Sequence, residues 1–172
     1  MANEIMIRPI READLPAYKA LRLEALRSHP EAFGSDYAEQ ANEPESEWMN
    51  RIRSSVEGNT ARLFLADATD DLAGMTGVYR DSGVKCHHSA TIVSVYVRPQ
   101  WRGRRLGDAM IHEALAWCAA VQVRIARLAV HPGNGPAIRC YLRCGFQVCG
   151  IQPEVIRIGD AYHDELQMWR RV

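Results

Sequence analysis

Four arginines and two glycines stand close together where an apolar segment gives way to a helical pattern. The segment reads Val95-Tyr96-Val97-Arg98-Pro99-Gln100-Trp101-Arg102-Gly103-Arg104-Arg105-Leu106-Gly107-Asp108, with no acid between Arg98 and Gly107. The first N–H groups of a helix have no partner within the helix and attract anions, and glycine lets the backbone come close to a ligand. We therefore predict a phosphate or pyrophosphate site in this loop. A tight turn with solvent-exposed arginines is the alternative.

A second informative segment follows further along the chain and reads Asn134-Gly135-Pro136-Ala137-Ile138-Arg139-Cys140-Tyr141-Leu142-Arg143-Cys144-Gly145-Phe146. Asn134 is a typical N-cap, and Pro136 is tolerated in the first turn of a helix because its missing N–H would be unpaired there. Gly145 stands where such a helix would end. A capped helix with a core tyrosine explains these residues without any function.

Taken together, the two segments resemble the GNAT superfamily of N-acetyltransferases, which transfer an acetyl group from acetyl-CoA to an amine. The family's Arg/Gln-x-x-Gly-x-Gly/Ala loop after a Val-x-Pro strand end is matched by residues 102–107 after Val97-Arg98-Pro99. Its Asn-x-x-Ala-x-x-x-Tyr-x-x-x-Gly-Phe pattern is matched in full by residues 134–146. One departure is Arg105, which occupies the first signature glycine position. An N–H of a residue with negative φ can still donate there, so we expect a weakened signature and not a lost site.

The resemblance implies roles for individual residues. Val95 and Val97, on either side of Tyr96, would offer backbone groups to the pantetheine arm, and Asn134 would contact the CoA arm. The CoA pyrophosphate would be surrounded by Arg102, Gly103, Arg104, Arg105, Leu106, Gly107 and Asp108. Tyr141 would protonate the departing thiolate, a role that suits a hydroxyl donor of pKa about 10 beside a thiol of pKa about 8.5. A splayed sheet edge at residues 95–97 could also direct an N–H at the thioester oxygen.

The general base is left open by the sequence. An alkyl ammonium group has a pKa near 10.4 and must lose a proton before it attacks. Many members of the family resemble one another in carrying a glutamate on the strand equivalent to Ala90 to Val97, but this strand has no carboxylate. The candidates are Glu24, Tyr79, Asp81, His87, His88, Asp164, Glu165 and a chain of water molecules. For each side chain an ordinary surface role is the alternative.

The acceptor is indicated only by charge. Residues 31–50 contain six acids and no base, interleaved with Phe33, Tyr37 and Trp48. In the family this region borders the acceptor site, so the acids could attract a cationic small-molecule or peptide amine, with a solvated acidic surface as the alternative. The resemblance also makes a homodimer plausible, in which a terminal strand, Ala161 to Arg170, could pair or pack across the interface.

The elements that must position these residues follow from periodicity. Strands are predicted at Glu4 to Arg11 with Ile5 and Ile7 facing one way, Ala61 to Ala68, Leu72 to Arg80, Ala90 to Val97 buried on both faces, Arg124 to Val130, Phe146 to Ile158, and Ala161 to Arg170. Helices are predicted from Leu15, capped by Asp14, to about Arg27, from near Asn42 to Ser46 onward, from Arg105 to Ala120, and from Asn134 to Arg143. We therefore expect one α/β domain over residues 1–172. The order of these elements also resembles that of the GNAT family, which implies a GNAT-like, mixed and partly parallel central sheet of about seven strands flanked by about four helices.

Composition limits the remaining possibilities. The 172 residues carry 21 Lys plus Arg and 21 Asp plus Glu, and zero net charge argues against a nucleic-acid partner. The longest apolar run, Ala114 to Val121, is far shorter than the roughly 20 residues that span a bilayer, so no membrane partner is expected. No secretory signal is visible, which favours the cytoplasm. The five cysteines lack a zinc-site spacing, so we expect reduced thiols and no metal.

Three functional hypotheses remain from the sequence. The first is an acetyl-CoA-dependent N-acetyltransferase that acts by direct attack of an amine on the thioester. The second is a non-catalytic acyl-CoA-binding or sensing module, which would explain the missing strand glutamate. The third is nucleic-acid binding through the arginine loop, which the neutral charge opposes.

Overall fold

Seven strands form one sheet in the computed structural model, which describes residues 5–69 and 71–172. The strands are β1 (Met6–Pro9), β2 (Ala61–Asp67), β3 (Leu72–Arg80), β4 (Ser89–Val97), β5 (Ile125–Val130), β6 (Gln147–Ile158) and β7 (Ala161–Arg171). Their order across the sheet is β1-β2-β3-β4-β5-β7-β6. The β4–β5 pair is parallel and the other five pairs are antiparallel, so the predicted mixed, partly parallel sheet is confirmed.

Five helices connect and cover the strands in the described part of the chain. They are α1 (Leu15–Ser28), α2 (Tyr37–Ala41), α3 (Glu45–Glu57), α4 (Leu106–Ala120) and α5 (Gly135–Arg143). The prediction of about four helices missed the short α2, which begins where the Asp36 carboxylate accepts a hydrogen bond from the Glu39 N–H at 3.0 Å. No helix in this part of the chain is long and apolar enough to cross a membrane.

The helices bury opposite faces of the sheet. On one face, α1 and α3 place Tyr18, Leu21, Trp48 and Ile52 over β2, β3 and β4. On the other face, Met110 and Ile111 belong to the α4 surface that covers β1 to β4. Burial of these side chains removes apolar area from water, and this is the main force that fixes the helices to the sheet.

The terminal elements differ from the prediction in three details. Strand β1 is shorter than Glu4 to Arg11, and Glu4 lies outside the described residues, although Ile5 and Ile7 do pack together against the core. The predicted cap Asp14 makes no side-chain capping bond to α1, because its carboxylate accepts from the Arg8 guanidinium and from the Arg11 N–H. Strand β7 lies between β5 and β6, so it has no free edge for pairing with a second chain.

Candidate functional site

A cleft opens in the sheet where its two parallel strands separate. Strands β4 and β5 pair only between residues 89–91 and residues 125–127. Beyond these pairs the strands diverge, and a cleft of about 770 Å³ lies between the rest of β4, the end of β5 and the first turns of α4 and α5. Clefts of this kind at the carboxyl ends of parallel strands are common ligand sites.

A bulge in β4 borders this cleft. Met75 faces Tyr96 and Gly77 faces Val93, so β4 carries one residue more than β3 over the same distance. The bulge includes Ser94, whose φ of +58° is rare for a residue other than glycine. The prediction that β4 is buried on both faces is therefore wrong for its second half: Val93 is exposed, because the strand has left β5 and borders open space.

The loop between β4 and α4 presents backbone N–H groups to the cleft. Within the described part of the chain, the N–H groups of residues 103–108 donate to no protein acceptor. Gly103 has a φ of +80°, and Arg105 has a φ of +56° as the residue just before α4. The negative φ that we assumed for Arg105 is thus wrong, because this arginine adopts the left-handed conformation that its glycine-like position requires. The array of unpaired donors at a helix start fits a pyrophosphate group.

The arginines of the loop are not equivalent. Arg98 is held by the carboxylates of Glu24 and Asp71, and it is therefore already neutralised by protein groups. Arg102 donates from Nε to the Val97 carbonyl at 3.0 Å.

Two other arginines of the loop have open surroundings. Arg104 stacks on the Trp101 ring at 4.9 Å, and Arg105 is exposed. Of the loop arginines, Arg102 and Arg105 line the cleft, whereas Arg104 does not. Arg139, which the sequence analysis did not single out, is a further cation that lines the cleft from α5.

Asp108 joins α4 to α5. Its carboxylate oxygens accept hydrogen bonds from Arg143 Nε at 2.8 Å and Nη2 at 2.6 Å. These bonds lower the pKa of the Asp108 carboxyl to about 2. The predicted contact of Asp108 with pyrophosphate would therefore come from its backbone N–H, since the side chain is occupied.

Asp108, Cys140 and Cys144 form a group of potential metal ligands, whose ligand atoms lie within 4.8 Å of one another. Arg143 neutralises the carboxylate of this group, and the ion pair between Asp108 and Arg143 joins α4 to α5. The absence of a metal in the function stays a prediction.

Tyr141 and Asn134 line the opposite wall of the cleft. Tyr141 is buried with its ring edge against Phe146, and burial raises the pKa of its phenol. The Asn134 side-chain oxygen accepts from the Ala137 N–H at 3.2 Å, which caps α5 and leaves the amide NH₂ as a donor. The structure thus brings together Tyr141, Asn134, the β4 backbone and the α4 loop around one cleft, while their catalytic and binding roles stay predictions.

Comparison with known proteins shows the family of this chain. The Acetyltransferase (GNAT) family model matches residues 19–146, which is most of the chain. The chain belongs to the GNAT acetyltransferase family. The activity of this family is acetyl transfer from acetyl-CoA to an amine, and the sequence resemblance and the fold are thereby confirmed.

Individual relatives differ in their acceptors. The chain is 27% identical to a Bacillus subtilis protein named, with provisional status, as an alanine N-acetyltransferase for ribosomal protein bS18; the match covers 66% of this chain and 71% of the relative. It is 25% identical to the L-methionine sulfoximine/L-methionine sulfone acetyltransferase of Pseudomonas aeruginosa, over 87% of this chain and 84% of the relative. A Salmonella typhimurium acetyltransferase, solved with its cofactor acetyl-CoA, superposes with a TM-score of 0.84 at 16% identity, over 98% of this chain and 94% of that chain.

The seven side chains considered as the general base of this GNAT chain do not line the cleft. Glu24 accepts from Arg98 and from the Tyr96 hydroxyl, and Asp81 pairs with Arg127. Tyr79 is exposed on β3, and the His87 ring bonds to the Ser82 carbonyl. His88, Asp164 and Glu165 lie near the far end of β4 or on β7. A chain of water molecules is the candidate that remains from the sequence analysis.

Two histidines in the GNAT cleft were missed by the sequence analysis. His29 Nε2 lies 3.0 Å from Arg102 Nη2, which can only donate, so the Nε2 lone pair is already used. His131 Nδ1 accepts from the Gly133 N–H at 3.0 Å, which leaves a proton on Nε2 of the neutral ring. Neither ring offers a free lone pair to a substrate amine, and no local motif marks them in the sequence.

Proposed function

We propose that this chain transfers the acetyl group of acetyl-CoA to a primary amine by direct attack of the amine on the thioester, without a metal. The observation that carries the proposal is that the donor-rich start of α4 and the Tyr141 side chain border the same cleft. The unpaired N–H groups of residues 103–108 would bind the pyrophosphate, and the exposed Arg104 and Arg105 would add charge attraction.

The strand groups would hold the thioester. Beyond residue 91, β4 has lost its parallel partner, so the backbone of Val95 on that side can bond to the pantetheine arm. The Val97 carbonyl already accepts from Arg102, so its contribution would come through the second lone pair of the oxygen. An N–H of the bulge would stabilise the oxyanion that forms when the amine attacks.

Tyr141 would donate a proton to the CoA thiolate as the carbon–sulfur bond breaks. Burial raises the pKa of its phenol, so the hydroxyl stays protonated throughout the working pH range. The proton that the amine loses would leave through water, because the protein side chains considered as bases lie outside the cleft.

Isothermal titration with acetyl-CoA tests the proposal, with release of the CoA thiol in the presence of amines as the second readout. Binding at submillimolar concentration together with amine-dependent thiol release is expected. Absence of binding would exclude the proposed function.

A second function, a non-catalytic acyl-CoA-binding module, is favoured by one observation, namely that none of the seven side chains considered as the general base borders the cleft. This alternative predicts acetyl-CoA binding without thiol release for any amine in a broad panel. The thiol assay therefore separates the two functions directly.

We further propose a cytoplasmic protein that forms a homodimer. The five cysteines are free thiols, which suits a reducing compartment. The edge strand β6 exposes Val148, Ile151 and Val155, which another copy of the chain could cover. Sedimentation of the purified chain tests the dimer, and a single species of monomer mass at micromolar concentration would contradict it.

A further inference from the structure

A buried arginine without a carboxylate partner lies beside the cleft. Arg22 of α1 is only 6% exposed, and burial lowers the pKa of its guanidinium. Its three hydrogen-bond acceptors are neutral oxygens at 3.1 to 3.2 Å, on Gln40, Ser94 and Ser35. The guanidinium also packs over the Phe33 ring at 4.9 Å, but within the described residues it makes no ion pair. A buried charge is costly unless an opposite charge is paired with it, so an anionic ligand would find an unpaired cation here.

A second arginine faces the same space. Arg51 of α3 bonds through Nη2 to the Glu43 carboxylate at 3.0 Å, but its Nη1 is buried and has no hydrogen-bond partner. Arg22 and Arg51 both line a cavity of about 330 Å³, to which Arg62 adds a third cation. Glu43 is the one carboxylate paired with these arginines in the described part of the chain, so the cavity carries excess positive charge.

The cavity adjoins the acetyl-transfer cleft. Val93 and Ser94 line both spaces, and the Ser94 hydroxyl that accepts from Arg22 stands on the β4 bulge. An anion bound by Arg22 would therefore be separated from the cleft by little more than the Ser94 side chain. A molecule that reaches from the cavity into the cleft must have its anionic group only a few bonds from its amine.

The acidic segment predicted to attract a cationic acceptor does not surround this space. Of its six acids, Glu31 lines the cleft, Asp36 caps α2 and Glu43 pairs with Arg51. The other three, Glu39, Glu45 and Glu47, are exposed on α2 and α3. The charge beside the bulge thus comes from arginines.

We propose that the cavity beside Ser94 binds the carboxylate of the acceptor, so that the acceptor is a free amino acid or a similarly small amine with a nearby carboxylate. The proposal rests on the acetyltransferase function proposed above. Arg22 and Arg51 would bind the carboxylate, with bonds from both guanidinium groups, and the amine would point past Ser94 into the cleft. The volume of the cavity suits a small molecule and not a polypeptide chain.

The test is CoA-thiol release from acetyl-CoA by the whole chain with matched acceptors: the twenty free amino acids, the amide and the decarboxylated amine of the best of them, spermidine, and a short peptide. We expect at least one free amino acid to exceed its amide and its decarboxylated amine by about 100-fold in kcat/KM, the loss typical of an unpaired buried charge. Equal or better turnover of the decarboxylated amine, spermidine or the peptide would overturn the proposal, as would failure of every amino acid to react.

Variants locate the subsite. Arg22→Met and Arg51→Met should each raise the KM for the amino acid by about 30-fold or more while leaving acetyl-CoA affinity unchanged, because the arginines contact the acceptor alone. Arg51 is less buried than Arg22, so Arg51→Met provides the readout if Arg22→Met does not fold. Arg53→Met is the matched control, since Arg53 also stands on α3 but pairs with Glu12 at the surface, and its KM should equal that of the unmodified chain. Unchanged KM in Arg51→Met would contradict the subsite. If the unmodified chain does not bind acetyl-CoA, that result would instead contradict the proposed function.

Discussion

The pair between Asp108 and Arg143 ties the first turn of α4 to the last turn of α5, the two helices that border the cleft. Asp108→Asn keeps the shape of the side chain and removes its charge. The variant removes the negative charge from the group that accepts two short hydrogen bonds from Arg143, of 2.6 and 2.8 Å, and this group is almost completely buried. Breaking this pair should therefore lower the free energy of unfolding measurably.

The size of the effect follows from the pKa of the carboxyl. Its folded value is about 2, against an ordinary value of 3.8, and each unit corresponds to about 1.4 kcal/mol. The Arg143 side chain is 45% exposed, so solvent screening reduces the full value, and we expect Asp108→Asn to cost about 1.5 to 2 kcal/mol at pH 7. Because the folded pKa lies below the unfolded one, this stability is complete above about pH 4 and is lost as the pH falls through 2. About half should remain at pH 3.

Urea unfolding of both chains at pH 7, 5 and 3 measures this difference. The gap in free energy should be the same at pH 7 and 5 and about half as large at pH 3. Asp160→Asn is a control, because Asp160 is fully exposed and lies 3.7 Å from Arg157. A gap at pH 7 below about 0.5 kcal/mol, or one that does not shrink at pH 3, would refute the reasoning.

Three further changes test other parts of the structure. Tyr141→Phe should lower kcat by about 100-fold with little change in acetyl-CoA affinity, and equal turnover would remove Tyr141 from the mechanism. Because burial raises the pKa of Tyr141, the activity of the unmodified chain should not fall between pH 8 and 10. In urea unfolding, the free energy of unfolding of Arg105→Gly should exceed that of Arg105→Ala by about 1 kcal/mol, because both variants lose the guanidinium but only glycine relieves the strain of a φ of +56°. A more stable alanine variant would contradict this. Gly74→Ala should cost about 2 kcal/mol, since its Cβ would lie 2.5 Å from the Tyr96 carbonyl oxygen, whereas Gly150→Ala, with nothing within 4 Å, should cost much less; equal urea midpoints would contradict the clash.

Regular elements were predictable because they depend on local spacing. The strands predicted at Phe146 to Ile158 and at Ala161 to Arg170 lie within one residue of the observed bounds of β6 and β7. The helix predicted from Arg105 to Ala120 is likewise observed as α4, from Leu106 to Ala120. Such features carry the same residue pattern wherever they occur in a chain.

The features that give the cleft its chemistry depend on contacts between distant residues. Arginine is rarely buried, yet Arg22 is buried and donates to the Ser94 hydroxyl, 72 positions away in the chain. The departure of β4 from β5 after Thr91 exposes Val93, although most residues of its strand are apolar. The left-handed φ of Arg105 contradicts its residue type, and only the geometry of the loop requires it. None of these three follows from local pattern, because tertiary packing decides each one.

The central claim is that the cleft between β4 and β5 joins acetyl-CoA to an amine in one step. The most direct measurement is the ratio of acetylated amine, found by mass spectrometry, to free CoA thiol released in the same reaction. We predict a ratio of one for the best acceptor and a parallel loss of both products in Tyr141→Phe, with Tyr162→Phe, an exposed tyrosine, unaffected. Thiol release without acetylated amine, or acetyl-CoA binding without either product, would contradict the claim.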